Sequence, residues 1–221
     1  TNAKAKQKNI PKETKSEEPK TNGALMHLDM MSVKVPSGAS LTRPNFRLIV
    51  DARTRVEFFE AYSTKGEMPD STCRTLKAIY DDGIEIKALR MDNGGENQTL
   101  AKMMKSKDWK FPLKVEFTPR ATPQFNSLVE TAFAYNTRRA VALFVAAHVP
   151  KKWRYMMLPW AMMLISDLKA LNPICLDGIT KTRMEHWNGS IPKWASNLRT
   201  FGEAGTVTTK STVQAKLEDR G

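Results

Sequence analysis

Three strand-like runs stand ahead of the first helical segment, and that order limits the chain to few architectures. Residues 24–35 read as a strand closed by the turn Pro36-Ser37-Gly38, and 46–51 as a second strand. Residues 55–62 follow within a few positions, the spacing of a hairpin. Residues 68–82 then read as a helix, with Cys73, Leu76, Ile79 and Tyr80 on one face and Gly83 as its stop. Residues 85–91 form a fourth strand, 98–106 a short helix rich in Lys and Met, and 113–117 a fifth strand. In the loop 118–123, Thr122 can cap the next helix and Pro123 suits its first position. That helix runs to about Ala147 and another covers 151–171. The order describes an α/β domain whose mixed five-stranded sheet is flanked by helices. After Pro173 the pattern weakens, and 201–207 read as the start of a small β element.

The 221 residues suffice for one ordinary domain with tails. Residues 1–22 hold six Lys, three Glu and no aromatic side chain, too little apolar surface to offset their ordering entropy, so a basic flexible linker is expected. Residues 23–172 are read as the core, and 173–221 as a C-terminal extension. The net charge of +12 favours a polyanionic partner. Its distribution is uneven: residues 100–160 carry 11 basic and 3 acidic side chains, whereas 21–99 carry 10 and 11. Cys73 and Cys175 form no C-x-x-C pair, which argues against a disulfide framework or a structural zinc site within these residues. No signal peptide is recognisable, and the apolar stretch 156–165 is too short to span a bilayer. The expected setting is intracellular and reducing, with no membrane.

Three carboxylates stand out within this order of elements. Asp92 leaves the apolar run 84–91 directly into Asn93-Gly94-Gly95, where a sharp backbone turn is expected. Glu130 falls in the first turns of the helix after Pro123, and Asn126, four residues earlier, shares its face. Asp29 lies on the first strand, with Asp51, at the end of the second, as a competitor for the same role. Three carboxylates gathered by two strands and a helix repel one another unless a cation sits between them. Mg²⁺, or Mn²⁺, suits such oxygen ligands and leaves room for phosphate oxygens. In a basic protein this points to phosphoryl transfer on a polynucleotide. No P-loop, dinucleotide-binding glycine motif or nucleophile elbow is present to suggest another chemistry.

Several motifs, in order, resemble the integrase core of copia-type LTR retrotransposons, a retroviral-integrase-like family of the D,D,E superfamily. They are His27-Leu28-Asp29, the run 46–51, Arg90-Met91-Asp92-Asn93-Gly94-Gly95-Glu96, and the stretch from Thr118 through Pro123-Gln124-Phe125-Asn126 to Glu130. Further on come Trp187-Asn188-Gly189 with Pro192, Leu198-Arg199-Thr200-Phe201-Gly202, and Lys216-Leu217-Glu218-Asp219-Arg220-Gly221. The resemblance implies an RNase H-like fold and a polynucleotidyl transferase that joins the 3′ ends of the element's DNA copy to target DNA. It assigns Asp29, Asp92 and Glu130 as catalytic, Mg²⁺-binding residues. It places Asn93, Arg120, Gln124, Asn126, Arg138 and Arg139 near nucleic acid. It implies double-stranded DNA partners (element ends and target), a homo-oligomer, origin in a polyprotein, and a nuclear location with a cytoplasmic particle stage. The family's upstream His₂Cys₂ zinc module does not lie in these residues, and the linker 1–22 is expected to follow it. Many members carry a basic residue just after the glutamate and an Asn two positions later; here stand Thr131 and Phe133. Two other readings compete: a catalytically dead remnant acting at most as a basic nucleic-acid-binding domain, and a different nuclease on the same fold.

Overall fold

The computed structural model describes residues 19–118 and 126–203. Residues 1–18 of the expected linker, the expected cap at Thr122 and Pro123, and most of the β element expected over 201–207 lie outside them. Five strands form one sheet in the order β3-β2-β1-β4-β5. They are β1 (Met26–Ser32), β2 (Asn45–Asp51), β3 (Glu57–Tyr62), β4 (Ala88–Met91) and β5 (Lys114–Phe117). The first three make an antiparallel meander, while β4 and β5 join parallel, so β1 is antiparallel to one neighbour and parallel to the other. This mixed sheet with flanking helices is the α/β arrangement expected from the order of elements, and it fits the RNase H-like fold that the resemblance implies.

Both sheet faces are covered, which explains why all seven residues of β2 are buried. Met26, Leu28, Ile49, Leu89 and Met91 pack under α1 (Met68–Asp81) and α2 (Gly95–Met104). Phe46, Leu48 and Val50 pack under α3 (Ser127–Ala146) and α4 (Lys151–Ala170). Successive strand residues point to opposite faces, so His27 and Asp29 look toward α3 while Met26 and Leu28 look toward α1. The stop at Gly83 is a Schellman closure: the Ile84 N–H donates to the Ile79 carbonyl and the Gly83 N–H to that of Tyr80.

Two local expectations change. Gly94 caps α2 at φ −69° and Gly95 is already helical, so α2 starts three residues before the expected Gln98. What Gly94 supplies is room: a Cβ there would stand 3.1 Å from Asp92 Oδ1. Beyond Pro173, β6 (Pro173–Leu176) and β7 (Ile179–Thr182) form a hairpin, followed by α5 (Arg183–Asn188). Asp177 and Gly178 close it with φ of 52° and 77°, the two-residue turn that Asp-Gly favours. The local signal for it is the run Leu176-Asp177-Gly178-Ile179.

The segment after α4 packs back on the core. Trp187 is buried edge-on against Phe58 with ring centroids 5.6 Å apart, and the Asn22 amide donates to the carbonyls of His186 and Trp187. Between β3, α3 and α4 the buried Glu57 carboxylate meets Lys169, accepts from the Asn136 amide at 2.7 Å and from the Ser166 hydroxyl at 3.1 Å. Trp187→Ala should cost about 3 kcal/mol or more, the scale for emptying a buried aromatic site, read from urea unfolding. The hairpin and α5 should melt with the sheet in one transition, and an earlier separate melt would contradict that coupling.

Candidate active site

The site begins with register. Met26 pairs with Leu89 and His27 with Arg90 in the parallel β1–β4 ladder. Carried two residues further, the same offset sets Asp29 level with Asp92, just past the end of β4. Neighbouring strands run about 4.8 Å apart, so the two carboxylates share one end of the sheet. Asp51 does not compete. Antiparallel pairing puts it opposite Met26, at the far end of β1. It is fully buried there and accepts from the Gly23 N–H at 2.9 Å, the Thr54 N–H at 2.7 Å and the Thr54 hydroxyl at 2.8 Å, a closed structural set.

Glu130 arrives on the first turn of α3, exposed, opposite the strand that carries Asp29. An open groove of about 650 Å³ is lined by Asp29, Met30, Ser32, Glu130, Phe133 and Arg138, among others. Glu130, Ala134 and Arg138 lie four residues apart along one helix flank, so a carboxylate and a guanidinium look into the same groove. Asp92 is exposed beside it. Its Oδ1 accepts from the Gly94 N–H at 3.1 Å and from the Asn97 amide, and these bonds orient the carboxylate.

The electrostatics bind the three together. Burial pushes the Asp29 carboxyl up to about 6, its bond from the Met30 N–H at 2.8 Å opposes this, and the charges of Asp92 and Glu130 raise it further. An all-oxygen donor set of this kind, one member of which has its charged form disfavoured chiefly by burial, suits a hard cation such as Mg²⁺ or Mn²⁺. The enclosure is incomplete: among the described residues no three His, Cys, Asp or Glu side chains are placed closely enough to hold a metal ion.

The remaining expected contacts scatter. Asn93 is exposed next to Asp92, with its side-chain oxygen accepting from the Gln98 amide at 3.1 Å. Arg138 lines the groove, but Arg139 turns away, its guanidinium 5.2 Å from the Tyr135 ring centre. Arg120 and Gln124 lie outside the described residues. Asn126 occupies the N-cap position of α3 without making a cap bond, and it is buried. Its amide instead donates to the Leu28 carbonyl at 3.1 Å, and its oxygen faces His27 Nδ1 at 3.3 Å. That buried placement does not match the nucleic-acid contact that the resemblance implies for it. No motif in the sequence signals the contact, since it joins residues 99 positions apart.

No family profile and no curated protein match this sequence. Solved structures do. A chain of the simian T-cell lymphotropic virus intasome, in complex with the PP2A regulatory subunit B56 gamma, matches with TM-score 0.50 and 18% identity over 86% of this protein. This protein spans 61% of that chain's length. The HTLV-2 integrase catalytic core domain, in complex with magnesium in a trimeric form, matches with TM-score 0.49 and 16% identity, covering 75% of this protein and 96% of that domain. At such identities the likeness is one of fold.

In cation-free protein the Asp29 carboxyl should titrate near 6 by carbon-13 NMR, and Asp92→Asn and Glu130→Gln should each lower its midpoint. The sign for stability follows from the raised value. Asp29's contribution is full below its unfolded value near 3.8 and is lost as pH rises through about 6. His27, lowered to about 4 chiefly by burial, acts oppositely, its contribution present above 6.5 and lost as pH falls toward 4. An Asp29 midpoint that neither substitution moves would show that the three carboxylates do not share one field.

Proposed function

We propose that this chain is the catalytic core of a copia-type retrotransposon integrase, a polynucleotidyl transferase that joins element DNA 3′ ends to target DNA. The observation that supports the reading is that Asp29 and Glu130 line one groove and that the register of β1 against β4 brings Asp92 to the same end of the sheet. Residues 23–172 form the core in this reading, after a basic linker over 1–22 and before an extension over 173–221. The partners are double-stranded DNA and further copies of the chain, and the place of action is the nucleus after a cytoplasmic particle stage. Among the described residues no helix is long and apolar enough to cross a membrane.

Asp29, Asp92 and Glu130 would hold Mg²⁺ or Mn²⁺, which when bound supplies charge stabilisation to the phosphate under attack and to the departing oxygen. The protein's own groups do the rest. The Gly94 N–H and the Asn97 amide fix the Asp92 carboxylate so that a single face meets the substrate. Arg138, in the groove with Asp29 and Glu130, holds a backbone phosphate. Met30 from β1 and Phe133 from α3 add apolar surface to that groove. In the joining step the 3′-hydroxyl oxygen of the element end bonds to a target phosphorus. The bond from that phosphorus to the target's 3′ oxygen breaks, and the proton released by the nucleophile is balanced by one gained at the new target 3′-hydroxyl.

A second reading, DNA binding without joining, is favoured by the lack of a closed metal-binding set among the described residues. An assay separates the two: duplexes with the element's termini, a target plasmid, and Mg²⁺ or Mn²⁺, in protein carrying the upstream zinc module. Joined product should fall by more than about a hundredfold in Asp92→Asn, the scale of losing a transition-state charge stabiliser. Salt-sensitive binding with no joining in the parent protein would leave only the second reading. Binding should weaken with salt, and Arg138→Ala should lower the slope of log affinity against log salt by about one.

A further inference from the structure

We infer that His27 and Asn126 form a lock that sets the first turn of α3 on β1 and thereby places Glu130 opposite Asp29. The inference rests on the catalytic reading above, which assigns neither residue this role. His27 is 6% exposed and Asn126 4%, so neither side chain can reach a nucleic acid. They sit two residues before Asp29 and four before Glu130, on the two elements that must meet.

The hydrogen-bond logic has one solution. The Leu28 carbonyl only accepts, so the Asn126 amide nitrogen must face it, at 3.1 Å. The amide oxygen then faces His27 Nδ1 at 3.3 Å, which must be the protonated ring nitrogen. The helix start is therefore held twice to consecutive residues of one strand, by a side chain and by its backbone. Asn126 is the N-cap of α3, with Ser127 the first helical residue, so this anchor defines where the helix begins. Glu130 lies one turn on. A shift of the first turn would carry its carboxylate along the groove, while Asp29, fixed in the sheet, would stay. His27 and Asn126 are thus positioning residues, acting through Glu130.

Two measurements test the lock. The first is amide hydrogen exchange at residues 130–132, compared with the core amides of β2. His27→Phe and Asn126→Ala should each speed exchange in that first turn by roughly three- to tenfold, as loss of one net hydrogen bond implies, while β2 protection stays unchanged. His27→Asn, whose amide N–H stands near the position of Nδ1, should return the rates to within about twofold of the parent, less than one such bond is worth. The second is strand joining, where His27→Phe should lower turnover with little change in KM for DNA and His27→Asn should recover it. Unchanged first-turn exchange in His27→Phe, uniform loss of protection through the sheet, or failure of His27→Asn to restore either readout would each overturn the lock. If the parent protein joins no DNA but exchange behaves as stated, the catalytic reading fails and the lock stands. If the parent joins DNA and His27→Phe keeps full turnover, the lock fails alone.

Discussion

The short parallel ladder between β1 and β4 is the constraint on which the rest depends. Only Met26 with Leu89 and His27 with Arg90 are paired, yet those pairs join the antiparallel meander to the parallel half of the sheet. They also decide which face each carboxylate meets. A strand's side chains alternate with a period of two, so a slip of one residue would turn Asp29 to the α1 side and bring Met30 or Leu28 to face α3. The packing opposes such a slip from both directions. Met26 and Leu28 are wholly buried under α1 and α2, and Met31 packs toward α3 and α4. The hydrophobic sorting of β1 therefore fixes the direction of its one acid, and the site inherits its geometry from the core.

Helix α3 answers the same constraint from the other side. Its apolar stripe of Val129, Ala132, Phe133, Ala140 and Phe144 packs on Phe46, Leu48 and Val50 and fixes the helix's rotation. Rotation alone leaves sliding along the axis free. Two polar contacts limit that: Asn126 on β1 at the start, and Asn136, bound to the buried Glu57 of β3, in the middle. Buried hydrogen bonds of this kind are directional where apolar contacts are not. They select one axial position among several that would bury similar area.

Much of this is legible in the sequence, and the division follows physical range. The strands, the helices and the mixed sheet can be read from local periodicity, because Phe46 to Asp51 or Leu76 and Ile79 announce burial within a few residues. Asp29, Asp92 and Glu130 can each be placed from the sequence, since each sits on or just beyond a strand or helix whose pattern is local. The buried role of Asn126 is not. Its partner lies on a strand far away in sequence, and an asparagine just before a helix looks like a cap from local pattern alone. The Glu57, Asn136, Ser166 and Lys169 cluster is hidden for the same reason. The hairpin around Asp177-Gly178 is a different kind of omission: its turn signal is local and present, but strands of four residues leave little periodicity to count.

The carboxylates themselves carry a cost that the fold does not remove. Asp29 is drawn below the surface by the same register that sorts Met26 and Leu28, and burial disfavours its charge. Asp92 and Glu130 add repulsion, whereas the single N–H from Met30 offsets only part of it. Arg138 is the one basic side chain among the groove's described lining residues, and it sits two helical turns from Glu130. A protein built for stability alone would set an amide or an apolar residue at one of these three places. Keeping three acids at one sheet end makes physical sense where a positive charge arrives from outside. A cation bound there would relieve the repulsion and favour the ionised form of Asp29 in one step. Under the proposed reading, Asp29, Asp92 and Glu130 would hold the cation and Arg138 would hold a DNA phosphate in the groove.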